Sequence, residues 1–323
     1  VLISFVVMVV ISVTGFIFAT DILRIMGAAE ETAVKGTPFV RIMMGGSMVI
    51  MLLFLINGIF RGAGNAAIAM KSLALANLCN IILCPLLING WGPVPGFGLT
   101  GAAIATTIGL AIGVSYQVYH LVKGSNTIRI KAASWKFDWH VIKSLVGIAA
   151  PGILQFVIAS CSWIFLARLV ATTGGEDGAA SAGYQTAIRI LMFFLLPAWG
   201  MSNAAATLVG QNLGAQQSGR AEASVLTTIK YNVIFMFGVT ILFFIVGDWV
   251  VSFFTTNEAI RMHALEAVKI ISSGYIFYGA GMVLISAFNG AGDTWTPTWV
   301  NLVCFWAFQI PLAYLLAKTF EMG

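Results

Sequence analysis

The hexapeptide FRGAGN at residues 60–65 returns as FNGAGD at residues 288–293. The similarity extends upstream, because residues 21–64 align without a gap onto residues 249–292, at a constant shift of 228 residues. An internal repeat of this length predicts two related lobes within one chain.

The composition indicates that this repeat lies in a membrane. Of the 323 residues, 59% are hydrophobic and only 9% are charged, whereas soluble domains carry about 25% charged residues. Such a chain cannot cover a globular surface with polar groups. The sequence therefore predicts an integral membrane protein, in which a substrate site is expected at the interface between the two repeats.

Nine apolar stretches are long enough to cross the bilayer, since a helix needs about 20 residues to span the hydrocarbon core. No stretch shows the ~10-residue alternation of a transmembrane β-barrel, so the predicted fold class is all-α. The chain begins inside the first stretch, which indicates a fragment of a longer protein. The predicted spans are residues 1–26, 38–60, 67–89, 98–122, 144–172, 180–209, 227–254, 263–287 and 297–318.

Lysine and arginine in the connecting loops predict the orientation of the spans. The connections after spans two, four and six are rich in these residues, and such loops face the cytoplasm. The net charge of +5 is then explained by the basic residues of these cytoplasmic loops. Nucleic-acid binding is not indicated, because the basic residues are spread over several loops and are not interleaved with aromatic residues. These basic residues are Arg61, Lys71, Lys123, Arg129, Lys131, Lys136, Lys143, Arg220 and Lys230.

The shift of 228 residues carries span two onto span eight. Because the two copies are six spans apart, the lobes are predicted to be parallel repeats about an axis normal to the membrane. Completing both lobes requires two helices before Val1 and one after Gly323, twelve in all. The predicted organisation is an N-lobe at 1–124, a basic cytoplasmic linker at 125–143 and a C-lobe at 144–323.

No pattern of residues predicts an enzyme or a metal site. The sequence contains no HExxH motif and no pairing of a nucleophile with a base, and its three histidines lie near span ends or in the linker. Its four cysteines lack CxxC spacing, which favours free thiols over a metal site or a disulfide. We therefore expect no cofactor. The cysteines are Cys79, Cys84, Cys161 and Cys304.

Several motifs resemble MATE transporters, the multidrug and toxic compound extrusion family. The resemblance covers nearly all of the chain, and the order and spacing of the motifs make it specific. The motifs are RGAGN at 61–65, NLCNIILCPLLI at 77–88, GLTGAAIAT at 98–106, AP at 150–151, AAATLVGQNLGA at 204–215 and FNGAGDT at 288–294.

This resemblance implies a two-lobed bacterial exporter, a monomer that crosses the inner membrane several times. Such a protein expels amphipathic, often cationic organic compounds in exchange for H⁺ or Na⁺ ions, by alternating access of its lobes. Its expected partners are the lipid bilayer and small-molecule substrates. The alternative is a lipid-linked oligosaccharide flippase of the same superfamily, which is expected to hold phosphates with several basic residues facing the cavity.

Ion coupling is expected to involve polar residues of spans three and four. All twelve acidic residues lie in loops or near span ends, so the coupling carboxylate is predicted in the helices before Val1. Asn77, Asn80 and Thr106 are the candidate partners for that carboxylate or the ion. Plain interhelical hydrogen bonding is the alternative. Pro85 is expected to break the helix below the two asparagines.

Four residues of the C-lobe are candidates for lining a substrate cavity. Gln155 stands in a span where many MATE members carry an acid. Arg189 lies deep in span six, where a charge is costly unless it faces water or a counter-ion. Gln185 precedes it by one turn on the same face, and Tyr184 is adjacent. Snorkelling of Arg189 to the outer surface is the alternative.

Overall fold

The protein is all-helical in the residues that the structure describes. The computed structural model describes residues 2–25, 30–90, 95–123, 138–173 and 178–319. The chain divides into two compact units, Val1–Asp138 and Trp139–Gly323. The predicted linker falls largely on residues 124–137, which lie outside the described residues.

The first unit contains six helices: α1 (Leu2–Ile17), α2 (Ala19–Ile25), α3 (Glu30–Gly45), α4 (Ser47–Gly62), α5 (Ala66–Asn89) and α6 (Leu99–Lys123). The second unit contains α7 (Trp139–Thr173), α8 (Ala179–Gly214), α9 (Ser218–Ser252), α10 (Glu258–Ser273), α11 (Tyr275–Ala291) and α12 (Trp295–Asn301). It ends in a π-helical segment (Leu302–Gln309), the short α13 (Ile310–Tyr314) and a second π-helical segment (Leu315–Thr319).

Seven continuous helices of the described residues are long and apolar enough to cross a membrane, and α10 with α11 forms an eighth span if the bent pair is counted as one. Helical structure suits a bilayer because it satisfies the main-chain hydrogen bonds within the segment. Of the nine predicted spans, the first corresponds to α1 and α2. Since the apolar helix there covers only Ser4–Ile17, the count of nine stays a prediction.

The internal repeat is present in the backbone. The helices α3 and α10 begin at Glu30 and Glu258, 228 residues apart. Both end one residue before a glycine, Gly46 or Gly274, after which α4 and α11 begin. Two stretches of related sequence therefore fold into the same helix, break and helix.

The same turn follows both copies. Gly64 and Gly292 have φ angles of 84° and 87°, in the left-handed region where glycine carries no steric penalty. The next side chain, Asn65 or Asp293, accepts a hydrogen bond from the main-chain amide three residues later, at 3.3 Å and 3.1 Å. Such a bond satisfies one of the free amides at the start of the next helix.

Each unit has its own apolar core. In the first unit the core lies where α4, α5 and α6 meet, and it contains Ile56, Phe60, Ile68, Ala69 and Leu121. In the second unit the core lies between α8, α9, α10 and α11, with fully buried side chains such as Met236, Phe243 and Val268. The second core places α8 so that one of its faces is buried and the opposite face is exposed.

Candidate functional site

Glycines of α6 bring its backbone against that of α5. A Cβ atom at Gly101 would lie 2.2 Å from the Leu87 carbonyl oxygen, and one at Gly109 would lie 2.7 Å from that of Ala76. Small residues allow this close approach, which is common between membrane helices. As a result, polar side chains on the two helices come within hydrogen-bonding distance.

The predicted residues Asn80 and Thr106 form one such contact. Asn80 Nδ2 donates a hydrogen bond to Thr106 Oγ1 at 3.0 Å, and the threonine hydroxyl donates to the Ala102 carbonyl at 2.9 Å. Among the described residues, Asn80 Oδ1 has no hydrogen-bond donor. The pair therefore leaves a carbonyl oxygen for a cation or a protonated carboxyl group.

The third candidate of this group, Asn77, is not part of that contact. Its side chain is exposed, and no described residue hydrogen-bonds to it. The helix α5 also runs through Pro85 to Asn89, so the predicted break at Pro85 is wrong. Neighbouring helices and polar side chains commonly compensate for proline in membrane helices. No cluster of metal-binding side chains occurs in the described part of the chain.

A buried polar triad that was not predicted from the sequence lies at the other end of the same helices. Gln117 Nε2 lies 2.6 Å from Asn57 Oδ1 and 2.8 Å from Ser72 Oγ, which joins α6 to α4 and α5. All three side chains are at most 2% exposed. The rule that selected Asn77 and Asn80, a polar amide inside an apolar span, applies equally to Asn57 and would have found it.

The second unit holds a different amide pair, which involves the predicted residue Gln155. Gln155 Nε2 donates to the Thr294 carbonyl at 2.8 Å and to Asn289 Oδ1 at 3.2 Å. Asn289 Nδ2 donates back to Gln155 Oε1 at 3.3 Å. Gln155 therefore ties α7 to the turn between α11 and α12, away from the other cargo candidates, and its contact with a substrate stays a prediction.

A cavity of about 930 Å³ lies within the second unit. It is bounded by α7, α8, the break between α10 and α11, and the helical segments from Leu302 to Thr319, and its lining is mainly aromatic and aliphatic, with the polar side chains Thr173 and Gln309. The predicted residue Tyr184 lines this cavity together with Tyr278. No charged residue occurs among the described residues that line it.

Gln185 and Arg189 lie on the exposed face of α8, outside that cavity. Arg189 forms no ion pair or hydrogen bond with any other described residue. The structure thus brings Asn80 to Thr106, and it places Gln185 and Arg189 on one face. It does not bring Gln155, Tyr184 and Arg189 into a single site.

Comparison with known proteins gives the family. The MatE family model matches residues 1–86 and 151–315. The probable multidrug resistance protein YoeA of Bacillus subtilis is 25% identical over 97% of this chain and 68% of its own length. The probable multidrug resistance protein NorM of Thermotoga maritima is 24% identical over 92% of this chain and 62% of its own length.

A solved structure agrees with these sequence matches. A crystal structure of MATE in the bent conformation superposes with a TM-score of 0.89 at 25% identity, over 98% of this chain and 69% of that one. The chain spans about two thirds of the length of the relatives it matches. The predicted all-α fold is confirmed, as is the prediction that the chain is not an enzyme, because the matches are to transporters. Since the family model covers well over half of the chain, the protein belongs to the MatE family of multi-pass membrane transporters.

Proposed function

We propose that this protein is an antiporter that exports amphipathic, often cationic organic compounds in exchange for H⁺ or Na⁺. Its substrate site opens alternately to the two sides of the membrane as its two lobes move, as is usual for transporters built from repeats. Membership of the MatE family and the names of YoeA and NorM support this proposal. We further propose that it works as a monomer in a bacterial inner membrane, without nucleic-acid partners.

We assign ion coupling to the hydrogen-bonded pair of Asn80 and Thr106. An antiporter needs a site whose occupancy by the driving ion changes the relative stability of its inward-open and outward-open states. Asn80 Oδ1 lies half-buried between α5 and α6 without a donor from the described residues, and the Thr106 oxygen lies beside its amide. Neutral oxygens in an apolar span suit Na⁺, or the hydrogen of a protonated carboxyl group.

Efflux of a fluorescent organic cation from proteoliposomes, under a proton gradient or a sodium gradient alone, tests the proposal. Thr106→Val removes the oxygen that accepts from Asn80 and keeps the shape of the side chain. We expect gradient-driven efflux to fall about tenfold, the factor that a loss of about 1.4 kcal/mol in ion binding represents. Exchange without a gradient should continue.

Ser115→Ala is the matched control on the same helix. The Ser115 hydroxyl donates only to the carbonyl four residues earlier, at 2.8 Å, as the Thr106 hydroxyl does. It has no described partner on another helix. Equal efflux from the two variants would contradict the assignment of Asn80 and Thr106 to coupling. Absence of efflux under both gradients in the unmodified protein would contradict the antiporter itself.

The flippase alternative is less well supported. A lipid diphosphate is expected to be held by several basic residues. Among the described residues, Arg189 is the one basic side chain predicted to lie deep in a span. A single arginine fits one anionic group better than a diphosphate.

A further inference from the structure

The exposed faces of α8 and α9 differ in polarity, although the helices are neighbours of 36 and 35 residues in the same unit. Between residues 233 and 247, every exposed side chain of α9 is apolar, as expected for contact with lipid tails. The exposed face of α8 carries Gln185, Arg189 and Asn203 among apolar side chains such as Leu196 and Trp199. Polar groups therefore interrupt the exposed surface of α8 but not that part of α9.

The polar residues of α8 are aligned. At about 100° per residue, Gln185, Arg189, Asn203 and Thr207 fall within about 40° of one another around the helix axis. We call these four residues the α8 polar stripe. The opposite face, with Ala187 and Ile190, is buried in the core of the second unit. The stripe therefore runs along the side of α8 that its own unit leaves uncovered.

Arg189 is the charged member of the stripe. Its side chain is exposed, it has no partner among the described residues, and α8 contains no acidic residue. An unpaired charge inside a membrane span is retained where it faces water or a counter-ion. Gln185 lies one turn before Arg189 on the same face and adds a second polar group there, and the arginine makes this part of α8 attractive to anions.

We infer that the α8 polar stripe contacts the transported molecule, and that Arg189 binds a carboxylate or phosphate group on it. The inference rests on the proposed transport function and narrows the cargo to compounds with at least one anionic group, including zwitterions. The planar guanidinium group matches both oxyanions in a two-bonded geometry. Gln185, about 6 Å along the helix, adds an amide donor or acceptor for a second polar group of the cargo.

The same oxyanion chemistry is present in lipid headgroups. In one case the phosphate of a lipid headgroup binds Arg189. In the other case an anionic group of a soluble cargo molecule binds Arg189. The test therefore needs a soluble anion, a matched soluble cation, and lipids with and without a net negative charge.

Binding of carboxyfluorescein and of rhodamine 6G, xanthene dyes of opposite charge, tests the inference on the purified protein in phosphatidylcholine vesicles. We expect Arg189→Gln to weaken carboxyfluorescein binding by roughly tenfold, the effect of losing one charge-assisted bond. Rhodamine 6G binding should be unchanged. Arg189→Lys should recover part of the carboxyfluorescein affinity, because it restores the charge without the two-bonded geometry.

Arg168→Gln is the matched control, an exposed arginine of α7 in the same unit that lies off the stripe. It should leave the binding of both dyes unchanged. The inference is overturned if the unmodified protein binds carboxyfluorescein no more tightly than Arg189→Gln does. It is also overturned if the two dyes lose affinity equally, or if Arg168→Gln acts as strongly as Arg189→Gln.

Phosphatidylglycerol added to the vesicles separates the two sources of oxyanion. Headgroup binding predicts that Arg189→Gln changes the affinity for this lipid and leaves dye binding unchanged, which overturns the assignment to cargo. The transport assay stands apart from both results. Efflux of a cation, together with carboxyfluorescein binding that does not depend on Arg189, leaves the antiporter intact and defeats this inference. Anion binding that depends on Arg189, in a protein that shows no efflux, supports this inference and contradicts the antiporter.

Discussion

The two copies of the repeat share a backbone and differ in shape at the glycine between their helices. The helices α3 and α4 form one continuous span of 33 residues, whereas α10 and α11 are bent by 55°. A Cβ atom at Gly46 would lie 2.9 Å from Thr107 of α6, but at Gly274 the nearest atom, the Ile271 carbonyl oxygen, is 3.5 Å away. The equivalent glycine therefore lies in a continuous span where another helix packs closely against it, and in a sharply bent pair of helices where no other helix approaches it.

The two copies also differ in the polar groups that their units bury. The first unit buries Asn57 and Ser72 beside Gln117. The residues equivalent to Asn57 and Ser72, 228 positions later, are Ile285 and Val300. Duplication has thus kept the local signals that shape the backbone, while the buried contact between Asn57 and Ser72 occurs in the first copy only.

The largest expected effect comes from the glycine at the end of each copy. A Cβ atom at Gly290 would lie 2.3 Å from the Ala206 carbonyl oxygen, part of the α8 backbone, whereas one at Gly62 has nothing within 4 Å. We expect Gly290→Ala to lower the free energy of unfolding by roughly 3 kcal/mol, at the upper end of overpacking costs. Thermal unfolding of the purified protein in a maltoside detergent measures this change.

Gly62→Ala is the matched control, since it makes the same chemical change at the equivalent position. Alanine there should be neutral or slightly stabilising, because it favours the helical end of α4. Equal losses of stability in the two variants would show that the glycines are required by the turn that follows each helix. In that case the contact between α8 and α11 would not explain the conservation of this glycine between the copies.

The repeat explains why so much of the fold was predictable. Apolar runs and glycine turns act locally, so the sequence predicts where α3 to α5 and their counterparts lie, and where α6 lies. Helix ends were predicted less well, because an apolar run ends where the hydrocarbon layer ends, whereas the helix can continue beyond it. The helix α7 begins at Trp139, whereas its span was predicted from residue 144. A helix that continues into the headgroup region leaves no apolar signal there.

The candidate site was only partly predictable, because polar contacts depend on which helices meet. Asn80 and Thr106 are 26 residues apart and were selected as separate polar residues in apolar spans, and the structure joins them. Gln155 was selected because many MATE members carry an acid in its span, yet its partner Asn289 lies 134 residues away at the end of another helix. No local pattern distinguishes an amide that pairs with a neighbour from one that is left for a ligand.

A moderate effect is expected when the first copy receives the residue of the second. Asn57→Ile removes the oxygen that accepts from Gln117 at 2.6 Å and from Ser72 at 3.3 Å. The buried Gln117 amide then loses a partner, and we expect a loss of about 1–2 kcal/mol in the free energy of unfolding. Unfolding of the purified protein in detergent measures this loss, with light scattering recorded in parallel to detect aggregation.

The double variant Asn57→Ile, Gln117→Leu sharpens that result. Replacing both buried polar groups by apolar ones leaves no unsatisfied donor, so much of the stability should return. The two substitutions are expected to be non-additive by about 1 kcal/mol, as for residues in one network. Additive losses would mean that the triad contributes packing alone.

The smallest effect concerns the charge that distinguishes the turns. Asp293 lies in the connection between α11 and α12, outside the spans, and its equivalent in the first copy is the neutral Asn65. Hydrogen bonds from the side chain and the main-chain amide of Thr296 hold the pKa of the Asp293 carboxyl below its ordinary value. This carboxylate therefore stabilises the turn more when it is charged.

The sign of the pH dependence follows from the lowered pKa. The stabilisation is complete above the pKa of an unfolded aspartate, about 3.9, and is lost as the pH falls through the lower pKa of the folded protein. Asp293→Asn should therefore lower Tm slightly at pH 7 and leave it unchanged in strong acid. Asn65→Asp should give the first turn a weaker dependence of the same sign, because the residue three positions later is Ile68, which offers a main-chain amide but no hydroxyl. A difference in Tm that persists undiminished in acid would mean that Asp293 acts through its shape as a cap, as Asn65 does, so that the two turns are equivalent in energy as well as in geometry.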